Sequence, residues 1–414
     1  MAEKTAVILG GTVPHCELVR QLKARGYRTV LVDYLEAPPA AKSADIHLRE
    51  STLDKDKVYE IAVQYKASLV IATNIDHANS TACYVLEKMG LRAPYSYQTS
   101  IDMTDKQRMK TVLKENGIPT ADFQIVTSAQ DEIRVPLPAV VKPVDSNGSR
   151  GVCVAETAEK LKEAVAGALE SSKTGRAVVE EYISGKEASV YTFIAEGKAH
   201  VILSNLRCVM EDRKTGLMPG VSMMYPCPFN DVQKEKIQQI CQASAKAFGL
   251  DNTPLLLQIK FEGDKVNVIE LMPRIGGGQS YWNIRALTGF DMVSAAIDSF
   301  EGKQVVPVYH TPSGITVTNH VYAYSCRFGS VLNLEEIRQS GIADEISVLR
   351  APGSEITSDL SSGNRVCSFV VNGSTEEEII RKSKAVFAKI DILDINGNSM
   401  MRRDMIPAHL RDSE

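Results

Sequence analysis

Residues 255–278 read LLLQIKFEGDKVNVIELMPRIGGG, and how this stretch is interpreted decides the fold. Leu255, Leu257, Ile259 and Phe261 alternate with Leu256, Gln258 and Lys260, the period of two expected of a strand. Glu262-Gly263-Asp264-Lys265 supplies turn residues, and Val266 to Leu271 resumes the extended pattern. Gln258 and Glu270 are the misfits, because they put oxygen-bearing side chains inside apolar strands, where an unpaired polar group costs free energy. A two-residue loop would offset the pair by one position and place the two on opposite faces. A three-residue loop would set them directly across from each other, close enough to share one cation. The turn residues are compatible with both, and an exposed sheet face is the plain alternative.

Working outward, the totals bound the answer. At 414 residues the chain should form two or three domains. With 44% hydrophobic and 24% charged residues it has an ordinary globular composition. A formal charge of −4 argues against nucleic-acid binding by bulk charge. The N-terminus runs straight into a strand without a signal-peptide pattern, and no apolar run approaches membrane-spanning length. The eight cysteines are scattered without CxxC spacing, as expected of reduced thiols in a cytoplasmic protein. The seven histidines form no HxH or HExxH cluster, so a zinc site is not expected.

Upstream, TAVIL at 5–9, residues 29–33 and residues 68–72 read as strands alternating with helices, which predicts parallel βαβ units. Ligands of such sheets sit beyond the carboxyl ends of the strands. That puts Gly10, Gly11, Thr12, Asp33 and residues 73–77 (Thr-Asn-Ile-Asp-His) on one rim. Gly10-Gly11 is neither a GxGxxG fingerprint nor a P-loop, so a substrate-facing rim is preferred to a dinucleotide site. Thr104 with Gln107 is expected to cap a helix, with Lys106 in its first turn. A cation there opposes the helix dipole unless it reaches something anionic.

Residues 138–152, PAVVKPVDSNGSRGV, form a buried strand ending in Lys142 and then a small-residue loop. Such a loop offers backbone N–H groups to phosphate oxygens, although a plain hairpin tip would look similar. Residues 177–190 end a short strand in Glu180 and Glu181, followed by Tyr182, Ile183 and a third acid, Glu187. Acids with an apolar neighbour suit a purine and its ribose; a solvated strand edge is the bland alternative. Residues 204–228 read as a long irregular loop. From Gly314 onward come strands, turns and a last helix capped at Ser374, a small α+β module.

Each piece is ordinary alone; their order is not. The chain resembles the ATP-grasp superfamily of carboxylate–amine ligases, which includes biotin carboxylase and carbamoyl-phosphate synthetase, and looks most similar to the L-amino acid ligases. The resemblance runs through nearly the whole chain. It implies a mixed α/β and α+β architecture: an N-terminal parallel βαβ (pre-ATP-grasp) domain over 1–103, an ATP-grasp domain over 104–305 with its nucleotide subdomain at about 120–190, and a C-terminal α+β module over 306–414. By position, Lys106 and Lys142 match the two phosphate-holding lysines, and Ser146, Asn147, Gly148, Ser149 and Gly151 match the glycine-rich flap. Glu180, Glu181 and Ile183 match the adenine hinge, and Glu187 the ribose acid. Gln258 and Glu270 match the magnesium-ligand pair, which favours the three-residue loop. Arg274 matches the arginine that, with Lys142, serves the chemistry at the acyl phosphate.

Two departures stand out: Met272 replaces the usual asparagine ligand, and Gln258 stands where relatives often carry a carboxylate. Both weaken the expected hold on Mg²⁺. The resemblance implies ATP and Mg²⁺ (with Mn²⁺ as an alternative), small-molecule carboxylate and amine substrates, no nucleic acid or membrane partner, and an enzyme whose relatives are often homodimers. The implied activity joins a carboxylate, an amino acid's by expectation, to an amine. Carboxylase- or formate-type chemistry and a non-catalytic nucleotide-binding homologue are the competing readings.

Overall fold

The structure is a computed structural model that describes residues 4–146, 151–210, 219–357, 360 and 364–411. Strands Ile46–Leu48, Tyr27–Val32, Lys4–Leu9 and Leu69–Ile71 lie side by side in that order as a parallel sheet. Helices Val13–Ala24, Lys55–Gln64 and Asp76–Lys88 pack against it through Leu18, Val19, Leu22, Val58, Ile61 and Ala82. The run Ala6 to Leu9 is buried on both faces, as a parallel strand between helices requires. At the carboxyl ends, the Gly11 N–H donates to Asp33 Oδ2 at 2.7 Å, so these two rim residues serve each other.

Helices Tyr97–Thr104 and Lys106–Glu115 lead away from this sheet. Thr104 is not the cap of the second: it closes the first helix, its Oγ1 donating to the Ser100 carbonyl, and Asp105 accepts from the Arg108 N–H instead. Gln107 is turned to Arg176. Strands Phe123–Val126, Ala177–Glu181, Ala139–Pro143 and Cys153–Ala155 then form a four-stranded antiparallel sheet in that order. Helix Ala158–Ser171 covers one face with Leu161, Val165 and Ala168.

The larger sheet has eight strands, all antiparallel, ordered Lys265–Met272, Thr253–Glu262, Lys186–Ala195, Lys198–Val209, Gly220–Tyr225, Ile315–Val321, Cys367–Gly373 and Glu345–Val348. Helix Asp231–Ala247 buries Ile237, Ile240 and Cys241 against one face. Strands from the C-terminal residues thus continue the same sheet that carries the 255–278 hairpin. Residues 204–228 are not one irregular loop: 204–209 and 220–225 are strand, and 211–218 lie outside the described residues. The last helix, Glu376–Lys389, is capped by Thr375 rather than Ser374, whose N–H is held by Glu378.

The hairpin itself corrects one expectation and rescues its consequence. Glu262 pairs with Lys265, so the loop has two residues, Gly263 and Asp264, not three. Only Gly263 has a positive φ, +53°, the pattern of a type II′ turn. Yet Gln258 still faces Glu270, because the register slips between Ile259↔Val268 and Gln258↔Glu270, leaving Ile269 as a β-bulge. The bulge also lets Val266, Val268 and Leu271 all reach the helix-covered core. Without it, Glu270 would point into that core.

Candidate functional site

The first group of site residues hangs from the small sheet and the helix before it. Lys106, in the first turn of helix Lys106–Glu115, donates from Nζ to the Ser146 carbonyl and lies 3.5 Å from Glu270 Oε1. It therefore does reach an anion, which answers the dipole penalty. Lys142 donates to Glu180 Oε2 at 3.0 Å. The same oxygen lies 3.3 Å from Nζ of Lys110, a fully buried lysine that also donates to Thr120 Oγ1 at 2.9 Å.

Sequence reasoning missed Lys110. The available signal was its place four residues after Lys106, on the same helix face. Burial and the neighbouring Lys142 charge lower its pKa to about 8, against the pull of Glu180. Glu180 is itself buried; desolvation opposes its charge, but Lys142 and then Lys110 hold its pKa below the ordinary value. Its Oε1 is buried and finds no partner among the described residues. A buried acceptor so placed fits an incoming amino hydrogen.

After Glu180 the chain turns outward: Glu181 and Tyr182 are exposed, and the Ile183 carbonyl accepts from Lys260 Nζ at 2.7 Å. Lys260 also lies 4.5 Å from the centre of the Tyr182 ring. A cleft of about 280 Å³ opens here, lined by Thr120, Glu181, Tyr182, Ile183 and Asn267 among others. Of the flap residues, Ser146 and Gly151 flank it; Asn147, Gly148 and Ser149 lie outside the described residues.

The second group lies on one face of the eight-stranded sheet. Glu270, Gln258 and Ser189 are cross-strand neighbours, and Lys260, Glu187 and Arg207 form the adjacent row. Gln258 Nε2 donates to Glu187 Oε1, which also pairs with Arg207 Nη1 at 2.5 Å. That bond directs the amide nitrogen to Glu187, so Oε1 is the atom of Gln258 that could meet a cation.

Arg274 follows the hairpin and is held on several sides. Its Nε and Nη2 donate to the Asp76 carboxylate, Nη1 to the Ile275 carbonyl at 2.8 Å, and Nη2 also to Met272 Sδ at 3.0 Å. Met272 therefore serves as an acceptor for Arg274 in the place where relatives offer a metal ligand. Burial disfavours the Arg274 charge, but Asp76 more than offsets this and its pKa is raised. The Asn74 side chain donates to the Gly276 carbonyl at 2.7 Å, fastening the N-terminal rim to the same loop. The structure thus brings together Lys106, Glu270, Gln258 and Glu187, and separately Lys142 with Glu180. His77 stays apart, lining a surface cleft with Lys55 and Asp145.

Among the described residues no group of three or more His, Cys, Asp or Glu side chains gathers. Mg²⁺ does not require one, because it is commonly held by one or two protein oxygens with phosphates and water completing the octahedron. Glu270 with Gln258 opposite fits that minimum. Among the described residues no helix is long and apolar enough to cross a membrane.

Comparison with known proteins bears on the fold and the family. Residues 104–276 match the family model for the phosphoribosylglycinamide synthetase ATP-grasp (A) domain. The chain is 26% identical over 314 residues to phosphoribosylamine–glycine ligase of Lactococcus lactis, covering 70% of this chain and 72% of that protein. In fold it is similar to an L-amino acid ligase from Bacillus licheniformis, with TM-score 0.76, 18% identity, and 94% and 98% of the two chains covered. It is also similar in fold to the biotin carboxylase domain of Hydrogenobacter thermophilus 2-oxoglutarate carboxylase, solved with MgADP. There the TM-score is 0.77 at 16% identity, covering 96% of this chain and 91% of that one. The superfamily to which these proteins belong uses ATP and Mg²⁺. Residues 104–276 are therefore an ATP-grasp domain, and the chain is an enzyme related to the carboxylate–amine ligases of that superfamily, which form C–N bonds.

Proposed function

We propose that this ligase activates the carboxylate of an amino acid as an acyl phosphate and passes the acyl group to an amine, releasing ADP and phosphate. The observation that carries the reading is the approach of Lys106, at the start of its helix, to Glu270 on the eight-stranded sheet, with Gln258 opposite Glu270 and Arg274 anchored just past the same strand end.

Hydroxide is a poor leaving group, so the carboxylate needs conversion before an amine can displace anything. In the first step a carboxylate oxygen attacks the γ-phosphorus and the bond to the ADP oxygen breaks. Such transfers depend on positioning and charge neutralisation more than on covalent help. Lys106 and Lys142 supply positive charge at the phosphates, and Glu180 orients Lys142 and Lys110. Bound Mg²⁺, held by Glu270 and Gln258, would neutralise phosphate charge. In the second step the amine nitrogen bonds to the acyl carbon, phosphate leaves, and the nitrogen gives up a proton. Arg274 stabilises the oxyanion that develops between these events, with the N–H groups at 276–278 within the same loop. The hinge at 180–183 borders the cleft that would take the nucleotide.

The test is incubation with ATP, Mg²⁺ and pooled amino acids, with phosphate release measured and products identified by mass spectrometry. ATP binding without phosphate release above background for any substrate pair would sink the reading. N-terminal rim residues Asn74 and Asp76 and the strands of 204–228 are assigned to the substrate side. A homodimer is the proposed assembly, checked by sedimentation.

A further inference from the structure

Past Gln258 and Glu187, the same face of the eight-stranded sheet carries a cluster of basic and amide groups that the steps above do not use. Arg207 pairs with Glu187 through Nη1, but its Nε is buried and without a partner among the described residues. Arg365 donates from Nε to the Tyr322 hydroxyl at 3.0 Å and from Nη2 to the Gly220 carbonyl at 3.2 Å, both neutral oxygens. A Cβ added to Gly220 would lie 3.1 Å from Arg365 Nη2 and 3.5 Å from Arg207 Nη2. The two guanidiniums therefore converge over one glycine, where the absence of a side chain leaves them room.

His320, on strand Ile315–Val321, lies 2.8 Å through Nδ1 from Ser368 Oγ, while its buried Nε2 has no partner among the described residues. Burial, then the charges of Arg365 and Arg207, hold its pKa well below the ordinary value, so the ring is neutral. Two fully buried asparagines continue the cluster. Asn205 donates to the Tyr191 hydroxyl at 2.7 Å and Asn283 to Thr318 Oγ1 at 3.0 Å, and Oδ1 of each is left without a donor among the described residues. Tyr191 in turn lies against Gly276, where an added Cβ would be 2.6 Å from its ring. The asparagine end of the cluster thus adjoins the Arg274 loop.

Buried donors and acceptors left open each carry a desolvation cost, and two converging cations add repulsion. One ligand with an anion at one end and N–H donors at the other relieves all of these at once. We propose that this cluster receives the amine substrate, and that the amine itself bears an anionic group. The anion, carboxylate or phosphate, sits between Arg207, Arg365 and His320, and the amine N–H groups face Oδ1 of Asn205 and Asn283 near the acyl phosphate. The inference rests on the ligase reading above.

The experiment separates the two. Wild-type protein with ATP, Mg²⁺, the pooled amino acids as acids and hydroxylamine as acceptor reports acyl phosphate as hydroxamate, with no other amine needed. Absence of hydroxamate overturns the ligase reading and this inference with it. With hydroxamate observed, the twenty amino acids are compared as acceptors with their C-terminal amides, and glycine with aminomethylphosphonate. The expected result is strong discrimination against the amides, with the better of glycine and aminomethylphosphonate identifying the anion. Arg365→Gln should raise the KM for the amine about tenfold to a hundredfold, the range for losing one charge-assisted hydrogen bond, with a far smaller change in the KM for ATP. Equal use of amides overturns the inference alone. A rise confined to the KM for ATP also overturns it, by assigning the arginines to the γ-phosphate.

Discussion

Arg274 and Asp76, 198 residues apart in the chain, share a mostly buried ion pair that ties the rim of the N-terminal parallel sheet to the end of the 255–272 hairpin. The arginine assigned to the oxyanion is thus oriented by a residue from a different sheet. Arg274→Ala should abolish ligation while ATP affinity, measured by calorimetry, stays near wild type. Loss of ATP binding instead would make Arg274 a nucleotide ligand. Asp76→Asn keeps the shape but leaves the cation unpaired. Breaking a buried pair costs about 3–5 kcal/mol, so this variant should unfold at distinctly lower denaturant concentration and lose kcat more than it loses substrate affinity.

The metal hairpin makes a second prediction. Glu270→Ala should raise the Mg²⁺ concentration needed for half-maximal turnover and weaken use of Mg·ATP. An unchanged metal dependence would remove Glu270 from the metal site.

Gln258 offers the converse test. Gln258→Glu supplies a second carboxylate for the cation but places it against Glu187, to which the wild-type amide donates. The variant should therefore be less stable than wild type without Mg²⁺ and regain the loss when Mg²⁺ and a non-hydrolysable ATP analogue are added. A melting temperature of the variant indifferent to both additions would contradict the assignment.

Lys110 predicts a pH effect on stability. Its pKa is about 8 in the folded protein, against an ordinary lysine value of 10.5. Between those two values the unfolded chain binds the proton that the folded chain has released, so stability rises with pH across that window. Lys110→Met removes the titration. The stability of wild type minus that of Lys110→Met should therefore climb from pH 8 to about 10.5, read from urea midpoints. A flat or falling difference would mean that Glu180 dominates and keeps the lysine charged.

Much of the site was legible because its chemistry needs polar residues where apolar ones belong. Gln258, Glu270, Lys142 and Glu180 all interrupt strand patterns, and each carries an interaction across the fold. The turn length was misjudged for a local reason. Facing side chains were taken to require a three-residue loop, whereas the bulge at Ile269 changes the register inside the strand. The clue was present, since the core positions slip from Val266 and Val268 to Leu271, an even-to-odd change that a regular strand forbids. The caps at Asp105 and Thr375 were misplaced by one residue because a threonine or serine beside another capping residue competes equally on composition. Arg207, Arg365 and His320 carried no sequence signal, because only strand pairing brings 207, 320 and 365 together.

The eight-stranded sheet runs unbroken from Lys265–Met272 to Glu345–Val348. Its first strands carry Glu270 and Gln258, and its later ones carry His320, with Arg365 at the entry to Cys367–Gly373. The acceptor cluster proposed above draws Asn205, Arg207 and Asn283 from before residue 314 and His320 and Arg365 from beyond it. Exchanging residues beyond 314 should therefore change the share of the acceptor site that His320 and Arg365 supply, while Arg207, the two asparagines and the Glu270–Gln258 pair stay in place, so acceptor choice is divided between two stretches of the chain.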